Sequence, residues 1–196
     1  MPLRFLDLDA QLVSSFLNGN SQAFDQLIAK HKERVYNLAY QMTGDRDWAE
    51  DIAVDVFVEV HQSLQGFRGR ASFTTWLYRV TVNICLEHIR RKKAKRQIEE
   101  LPLEGLEVAS AEDITGSFLD RELASRVVKA IQSLSPSQRA AVAMFYVEGR
   151  TYDEIGEILG IPRDTARSRV FHGTQVLRKK LQREGLISPS GHSGEV

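Results

Sequence analysis

Cysteine is nearly absent from this chain of 196 residues, in which Cys85 is the only one. A single thiol can form neither an intrachain disulfide nor a thiolate-rich metal site. The five histidines are scattered without the spacing of metal ligands, so we expect no metal and no cofactor. The sequence also lacks the glycine-rich phosphate loops and the nucleophile motifs of common enzymes. An enzyme is therefore not expected.

Long apolar runs are missing as well. No stretch approaches the roughly 20 apolar residues that span a bilayer. The first residues, MPLRFLDLDA, lack the order of basic, apolar and small residues that marks a signal peptide. We therefore expect a cytoplasmic protein with no direct insertion into membranes.

The charges are unevenly distributed, although the formal net charge is zero. Acidic residues dominate 45–59 and 99–122, whereas basic residues dominate 68–96 and 163–183. Two separate basic blocks, each beside an acidic one, are typical of a protein with two nucleic-acid contacts and at least one other charged surface.

Helical periodicity runs through most of the sequence, and no convincing alternating strand is present. We predict helices over 8–17, 21–42, 47–64, 73–95, 118–133, 136–147, 152–159 and 163–182. Residues 97–117 are acidic and poor in aromatic residues, so they cannot bury enough apolar surface to order themselves. The pattern predicts an all-α fold of two small helical domains joined by a flexible acidic linker. The predicted bounds are 1–96 for the first domain, 97–117 for the linker, 118–184 for the second domain and 185–196 for a disordered tail.

The second domain contains the pattern of a helix-turn-helix between residues 151 and 181. Ile155, Ile158 and Leu159 share one face of its first helix, and Gly160 ends that helix. The second helix is basic, and its outer face carries groups that bond to base edges or phosphates in the major groove. The candidate DNA-facing residues are Arg163, Thr165, Arg167, Ser168, Phe171, His172 and Lys179. An ordinary amphipathic helix of a bundle is the alternative interpretation.

A second candidate DNA site lies in the first domain, within SFTTWLYRVTVNICLEHIRRKKA. Trp76, Arg79, Asn83 and Arg90 share one stripe of the predicted helix. An aromatic ring stacks on unpaired bases, an amide reads a base edge, and arginine holds the backbone. Proteins that capture a flipped base need such groups, whereas readers of duplex DNA alone need them less.

Three segments together carry a resemblance to a known family. They are FDQLIAKHKERVYNLAYQMTGDRDWAEDIAVDVFVEV, FRGRASFTTWLYRVTVN and LSPSQRAAVAMFYVEGRTYDEIGEILGIPRDTARSRVFHG. The chain resembles a bacterial sigma factor of the extracytoplasmic-function (ECF) group, which has only regions 2 and 4. In that order the segments are similar to the part that binds core RNA polymerase, the part that melts and reads the -10 element, and region 4, which reads the -35 element. The resemblance covers about 12–94 and 134–181.

The resemblance implies that the chain directs core polymerase to promoters, helps to melt the -10 element and performs no chemistry of its own. Residues 1–96 would be region 2, and 118–184 would be region 4. The implied partners are core RNA polymerase, promoter DNA that is duplex at -35 and melted at -10, and an anti-sigma factor. No small-molecule substrate is implied.

By position, the resemblance also implies residue roles. The polymerase-binding residues would be Asp51, Val54, Asp55 and Phe57, on a helix whose acidic side suits a basic partner surface. The -10 residues would be Phe67, Ser72, Trp76, Arg79, Asn83, Arg90, Arg91, Lys92 and Lys93. Two further aromatic residues of this segment, Phe73 and Tyr78, are expected in the core.

The chain departs from the family pattern after Phe171. Many relatives have Arg-Ala-Arg there, whereas this chain has His172, Gly173 and Thr174. Two fixed positive charges are lost, and a glycine inside a helix costs about 1 kcal/mol relative to alanine. We expect this departure to affect recognition of the -35 element.

Two other classes of protein remain as alternatives. A stand-alone helix-turn-helix regulator would bind duplex operators unaided, but the first domain offers a stripe of ring and amide groups instead of a ligand pocket or a dimer seam. A helical adaptor without DNA contact would leave both basic blocks unexplained. Transcription with core polymerase distinguishes these alternatives from a sigma factor.

Overall fold

A computed structural model describes residues 8–98 and 118–188, and all regular structure within these two ranges is helical. The first half contains α1 (Leu8–Leu17), α2 (Ser21–Thr43), α3 (Arg46–Ser63), a 3-10 turn (Leu64–Gly66) and α4 (Phe73–Ile98). The second half contains α5 (Phe118–Gln132), α6 (Pro136–Tyr146), α7 (Tyr152–Leu159) and α8 (Arg163–Arg183). The predicted all-α fold is confirmed. None of the helices in the described ranges has the length and hydropathy of a membrane span.

The helix ends follow local sequence signals. Gly44 ends α2 in the left-handed conformation, with φ of 72°, and Gly160 ends α7 in the same way, with φ of 64°. The Asp45 side chain accepts a hydrogen bond from the backbone N–H of Trp48 at 3.1 Å and so caps α3. Ser135 and Thr151 each begin a helix with a capping box.

The predicted linker and tail fall largely outside the described residues. Helix α4 continues to Ile98, two residues into the predicted linker, and 99–117 are not described. At the other end, Gly185 has φ of 70° in the turn that follows α8, and the described chain stops at Ser188.

A buried ionic cluster fastens α1 to the other helices of the first half. The Asp9 side chain is 4% exposed and lies 2.7 Å from Lys30 Nζ, 3.1 Å from His31 Nε2 and 3.3 Å from Thr74 Oγ1. Burial by itself raises the pKa of Asp9, but the hydrogen bonds with Lys30 and His31 outweigh it and bring that pKa below its usual value of 3.8. The carboxylate therefore stays charged and joins α1 to α2 and α4.

The two halves pack against each other: α2 contacts α5 and α6, and α4 contacts α6 and α7. Side chains of the second half bond to the last carbonyl groups of α2, which have no partner within their own helix. Gln132 Nε2 donates to Gln41 O at 2.7 Å, and the buried guanidinium of Arg139 donates to Met42 O. Burial lowers the pKa of Arg139 to about 10, so the group is still a cation near neutral pH. A positive charge at the C-terminus of α2 is favourable for the helix dipole.

Candidate nucleic-acid interface

The predicted aromatic stripe lies on α4, at the edge of the first half. Trp76 is half-buried, with its ring centroid 5.2 Å from that of Phe67 and 5.9 Å from that of Phe73. Arg79 and Asn83 are exposed further along the same helix. Phe73 is buried, as predicted for a core residue. Helix α4 thus presents an aromatic ring that packs against two other rings, and an amide and a guanidinium follow it along the helix.

A cavity of about 280 Å³ opens beside this stripe. Phe67, Trp76 and Arg79 line it, together with the loop residues Gly66, Arg68, Arg70 and Ala71. Ser72, predicted at the same site, does not line the cavity. Its Oγ accepts a hydrogen bond from the backbone N–H of Thr75 at 3.1 Å and stabilises the start of α4. The structure therefore brings three predicted residues together around the cavity, while Ser72 fixes the helix that carries two of them.

The basic end of α4 is partly engaged within the chain. The Arg90 side chain donates a hydrogen bond to the backbone carbonyl of Leu86 at 3.2 Å. The Arg91 guanidinium lies 2.5 Å from a carboxylate oxygen of Glu87, one turn earlier on the same helix. Lys92 Nζ lies 3.5 Å from the ring centroid of Trp48, a cation–π contact. Lys93 is exposed. Three of these four side chains, Arg90, Arg91 and Lys92, already contact a group within the chain.

Helices α7 and α8 form the predicted helix-turn-helix. The turn between them passes close to Gly156, where an added Cβ would lie 2.8 Å from the carbonyl oxygen of Ile161. Ala166, Val170 and Gly173 form the buried side of α8. This buried side fixes which face of α8 points to solvent.

The solvent-facing side of α8 carries the candidate -35 residues. Phe171 is 58% exposed, and the His172 ring packs edge-on against it with centroids 5.4 Å apart. Arg163, at the start of the helix, lies 3.3 Å from an Asp153 carboxylate oxygen of α7. Four further candidates lie on this face. Thr165 is half-buried, and Arg167, Ser168 and Lys179 are exposed.

The polymerase-binding candidates occupy α3, which packs against both α2 and α4. Val54 is 64% exposed, and with Phe57 it lines an apolar groove of about 560 Å³ between α2 and α3. Sequence reasoning missed the rest of the groove, because its lining comes from two helices that meet only in the fold. Those further lining residues are Phe24, Ile28, Lys32, Ala53, Val58, His61 and Gln62.

The acidic candidates on α3 separate in the structure. Asp51 is exposed. Asp55 faces α4, where its carboxylate lies 3.0 Å from His88 Nε2. Asp55 therefore has a partner within the chain, while Asp51 is placed on the open side of the helix.

Comparison with known proteins identifies the family. The family model of sigma-70 region 2 matches residues 27–95, and that of sigma-70 region 4 matches residues 124–175. The ECF RNA polymerase sigma factor SigW of Bacillus subtilis is 32% identical over 171 residues, which cover 84% of this chain and 91% of SigW. This chain belongs to the ECF RNA polymerase sigma factors. Accordingly it acts in transcription initiation, where it directs core polymerase to promoters.

Other sigma factors agree with this assignment. The ECF RNA polymerase sigma factor SigE of Mycolicibacterium smegmatis is 37% identical over 161 residues, which cover 81% of this chain but only 62% of SigE. Two solved structures share the fold: RpoE in complex with the anti-sigma factor NepR from Bartonella quintana, and CnrH in complex with the cytosolic domain of CnrY. RpoE has a TM-score of 0.68 and 21% identity and covers 81% of this chain and 96% of its own. CnrH has a TM-score of 0.69 and 22% identity and covers 91% of this chain and 99% of its own.

In this sigma factor, the second half also reaches the -10 candidate surface of α4. The Tyr78 hydroxyl donates a hydrogen bond to the Glu148 carboxylate, and the Arg150 guanidinium lies 5.0 Å from the centroid of the Tyr78 ring. Burial, and then the bond to Glu148, raise the pKa of Tyr78 to about 12. The Arg79 guanidinium donates to the backbone carbonyl of Glu157 in α7. No periodicity in the sequence signals these contacts, because they join residues that lie some seventy or more positions apart.

Proposed function

We propose a division of labour among three surfaces of this sigma factor. The α2–α3 groove binds core polymerase, the cavity and stripe of α4 hold the melted -10 element, and the outer face of α8 reads the -35 duplex. Residues 1–96 act as region 2 and 118–184 as region 4, joined by a linker over 97–117 and followed by a tail over 185–196. The chain itself catalyses no reaction.

The observation that carries the -10 proposal is the cavity beside α4. Its wall combines two aromatic rings, Phe67 and Trp76, with the guanidinium of Arg79. A base displaced from the duplex loses its stacking partners, and aromatic faces and guanidinium planes replace them. Asn83 lies one turn further along α4, exposed and able to read the edge of a base. Arg90 to Lys93 continue the track toward the backbone of the same strand.

The -35 proposal rests on the chemistry of the outer face of α8. Arg167 and Lys179 supply charge for phosphates, and Ser168 supplies a hydroxyl for a base edge or a phosphate. The exposed Phe171 ring suits contact with a thymine methyl group. By the family resemblance, His172 stands where an arginine is common, so this position lacks the fixed charge of a guanidinium.

The polymerase-binding proposal rests on the apolar groove. Val54 and Phe57 offer an apolar surface, and Asp51 adds negative charge at its edge. A helical segment with an apolar ridge and a basic flank fits such a surface. We therefore place the polymerase contact on α3, which is acidic and unsuited to DNA.

We further propose that an anti-sigma factor binds this chain and that it works in the cytoplasm, where polymerase and promoter DNA are found. Such an inhibitor would have to cover the groove, the α4 surface or both. The support is the solved complex of the structural neighbour RpoE with NepR.

Transcription in vitro tests the proposed function. Purified core polymerase is given a pool of randomised promoters, with and without this protein, and the transcripts are sequenced. We expect transcripts only when the protein is present, with paired motifs upstream of their start sites. A protein that shifts duplex DNA alone yet never gives transcripts with the core enzyme would instead be a stand-alone regulator.

The variant Asn83→Ala tests the reading of the -10 element. Loss of the amide should reduce discrimination at one -10 position by roughly tenfold and leave the affinity for core polymerase unchanged. The matched control is Asn37→Ala, which removes an exposed amide from α2. Identical transcription from promoters altered at each -10 position, before and after the change, would exclude Asn83 from the site.

A further inference from the structure

Tyr146, the last residue of α6, exposes a large aromatic side chain next to α8. It is 60% exposed, yet its ring is held on one side, where it packs edge-on against the Phe145 ring with centroids 5.0 Å apart. The Phe145 ring in turn stacks on that of Tyr152 in α7, also with centroids 5.0 Å apart. A row of three rings therefore runs from α7 to Tyr146 and restricts where the exposed ring can point.

The hydroxyl group of Tyr146 reaches α8. It lies 3.3 Å from Thr174 Oγ1, which also donates to the backbone carbonyl of Val170 at 2.8 Å. Among the residues that the structure describes, Thr174 is its one hydrogen-bond partner. A phenol can donate one hydrogen bond while it accepts others. Because the Thr174 hydroxyl is the donor in this contact, the Tyr146 proton remains available to an acceptor outside the chain.

This contact places Tyr146 at one edge of the solvent-facing side of α8. Arg167, Phe171 and Thr174 follow the spacing i, i+4 and i+7, so they share one stripe of the helix. Arg167 and Phe171 are exposed candidates for the -35 contact, whereas Thr174 is half-buried against α6. The Tyr146 hydroxyl thus lies beside the stripe that carries two of the -35 candidates.

The dimensions of the major groove determine what lies at that edge when α8 enters it. The groove is about 12 Å wide, and an α-helix with its side chains is about 10–12 Å across. A helix in the groove therefore nearly fills it, and groups beside the helix meet the phosphates that border the groove. Tyrosine hydroxyls are among the side-chain groups that bond to those phosphates.

We propose that Tyr146 is a further DNA-binding residue of the -35 surface, whose hydroxyl donates a hydrogen bond to a backbone phosphate at the edge of the groove. The inference rests on the proposed function, because it assumes that the outer face of α8 enters the -35 duplex. The contact uses no charge on the protein and reads no base. It fixes the position of α8 in the groove and strengthens binding to every -35 sequence alike.

The variant Tyr146→Phe removes only the hydroxyl and keeps all three rings. Fluorescence anisotropy gives the dissociation constant of the complete holoenzyme, formed with core polymerase, for a promoter isolated from the randomised pool. Loss of a hydrogen bond to a charged phosphate should weaken binding about tenfold, with the same order of preference among bases at each -35 position. The control Tyr40→Phe removes a hydroxyl from α2 and should bind as wild type does.

A scan of the DNA locates the contact. Each phosphate of the -35 duplex is replaced in turn by an uncharged methylphosphonate, and binding is measured with wild type and with Tyr146→Phe. At one phosphate, the replacement should weaken binding by wild type about tenfold and binding by Tyr146→Phe less than about twofold. At the other contacted phosphates the two proteins should lose affinity equally. Equal losses by the two proteins at every phosphate would show that Tyr146 acts through the fold, and would overturn the proposal.

The remaining outcomes separate this role from the proposed function. Unchanged affinity of the Tyr146→Phe holoenzyme for the promoter would also overturn the proposal. So would a loss confined to the binding of core polymerase, because it would assign the exposed ring to a protein contact. If wild-type holoenzyme yields no transcripts with a -35 motif, the proposed function itself is wrong. If wild type yields that motif and Tyr146→Phe binds normally, only the role of Tyr146 is wrong.

Discussion

At the scale of single residues, Gly173 shows how a helix-weakening residue can favour a fold. It is buried where α8 meets α6, and an added Cβ would lie 2.6 Å from Val142 Cγ2. No real Cβ contact is that short, so α8 can approach α6 this closely only with glycine at position 173. The departure from the family pattern after Phe171 thus has a packing role as well as an effect on charge.

Substitution Gly173→Ala tests this role. Alanine gains about 1 kcal/mol of helix propensity, but overpacking against Val142 costs about 1–3 kcal/mol. We expect a net decrease in the free energy of unfolding, measured by urea denaturation. The double variant with Val142→Ala should recover most of the loss, because it removes the methyl group that clashes. A more stable Gly173→Ala protein would contradict the packing argument.

The Asp9 cluster makes a prediction that depends on pH. Because the folded-state pKa of Asp9 lies below its usual value of 3.8, its charge stabilises the fold fully above that value. The contribution is lost as the pH falls through the folded-state pKa. We expect Asp9→Asn to lower the free energy of unfolding by about 2 kcal/mol at neutral pH.

Urea denaturation of both proteins at neutral pH and near pH 3 provides the measurement. The difference between wild type and Asp9→Asn should narrow at the lower pH. Asp25→Asn, which changes an exposed carboxylate of α2, is the control and should alter the free energy by less than about 0.5 kcal/mol. A difference that is the same at both pH values would show that the charge of Asp9 is not what stabilises the cluster.

At the scale of helices, one face of α3 packs into the core and another face is exposed along the groove. One side packs into the core through Ile52, Val56 and Val60, and the other carries exposed Val54 and Val58 along the groove. Two exposed valines one turn apart on a solvent-facing side are costly in water unless a partner covers them.

Substitution Val54→Asp should therefore weaken binding to core polymerase by about tenfold or more without destabilising the protein, because the side chain is already 64% exposed. The control is Leu17→Asp, which places the same charge on an exposed apolar position of α1. Affinity is measured by biolayer interferometry with immobilised core enzyme. Equal affinity of the Val54→Asp protein and wild type would move the polymerase contact away from the groove.

Helix boundaries were predictable to within a few residues because their signals are local. Each signal lies within a short stretch of sequence. Examples are the glycine that ends α2, the capping box at Ser135 and the periodic spacing of buried and exposed positions along a helix. The sequence also predicted which face of α8 is exposed, because the buried stripe of a helix determines that the opposite face points to solvent. Contacts between distant helices carry no such signal. The bond from Gln132 to Gln41 spans 91 positions, and the pairing of Asp55 with His88 spans 33.

At the scale of the whole molecule, the zero net charge results from two basic surfaces and acidic segments that balance them. Sequence identified this balance and the two halves, but it treated the halves as independent bodies on a linker. The fold joins them through buried polar groups such as Arg139, which directly precedes the apolar run 140–146 of α6. The sequence does not identify which carbonyl group this arginine meets.

The capping of α2 by Gln132 and Arg139 has a consequence for the way the chain is made. A ribosome synthesises α2 long before it reaches these two residues, and domains generally begin to fold in the order of their synthesis. The carbonyls of Gln41 and Met42 must therefore bond to water on the nascent chain. The end of α2 acquires its final partners only when the second half has emerged, so α2 is completed late although its sequence comes early.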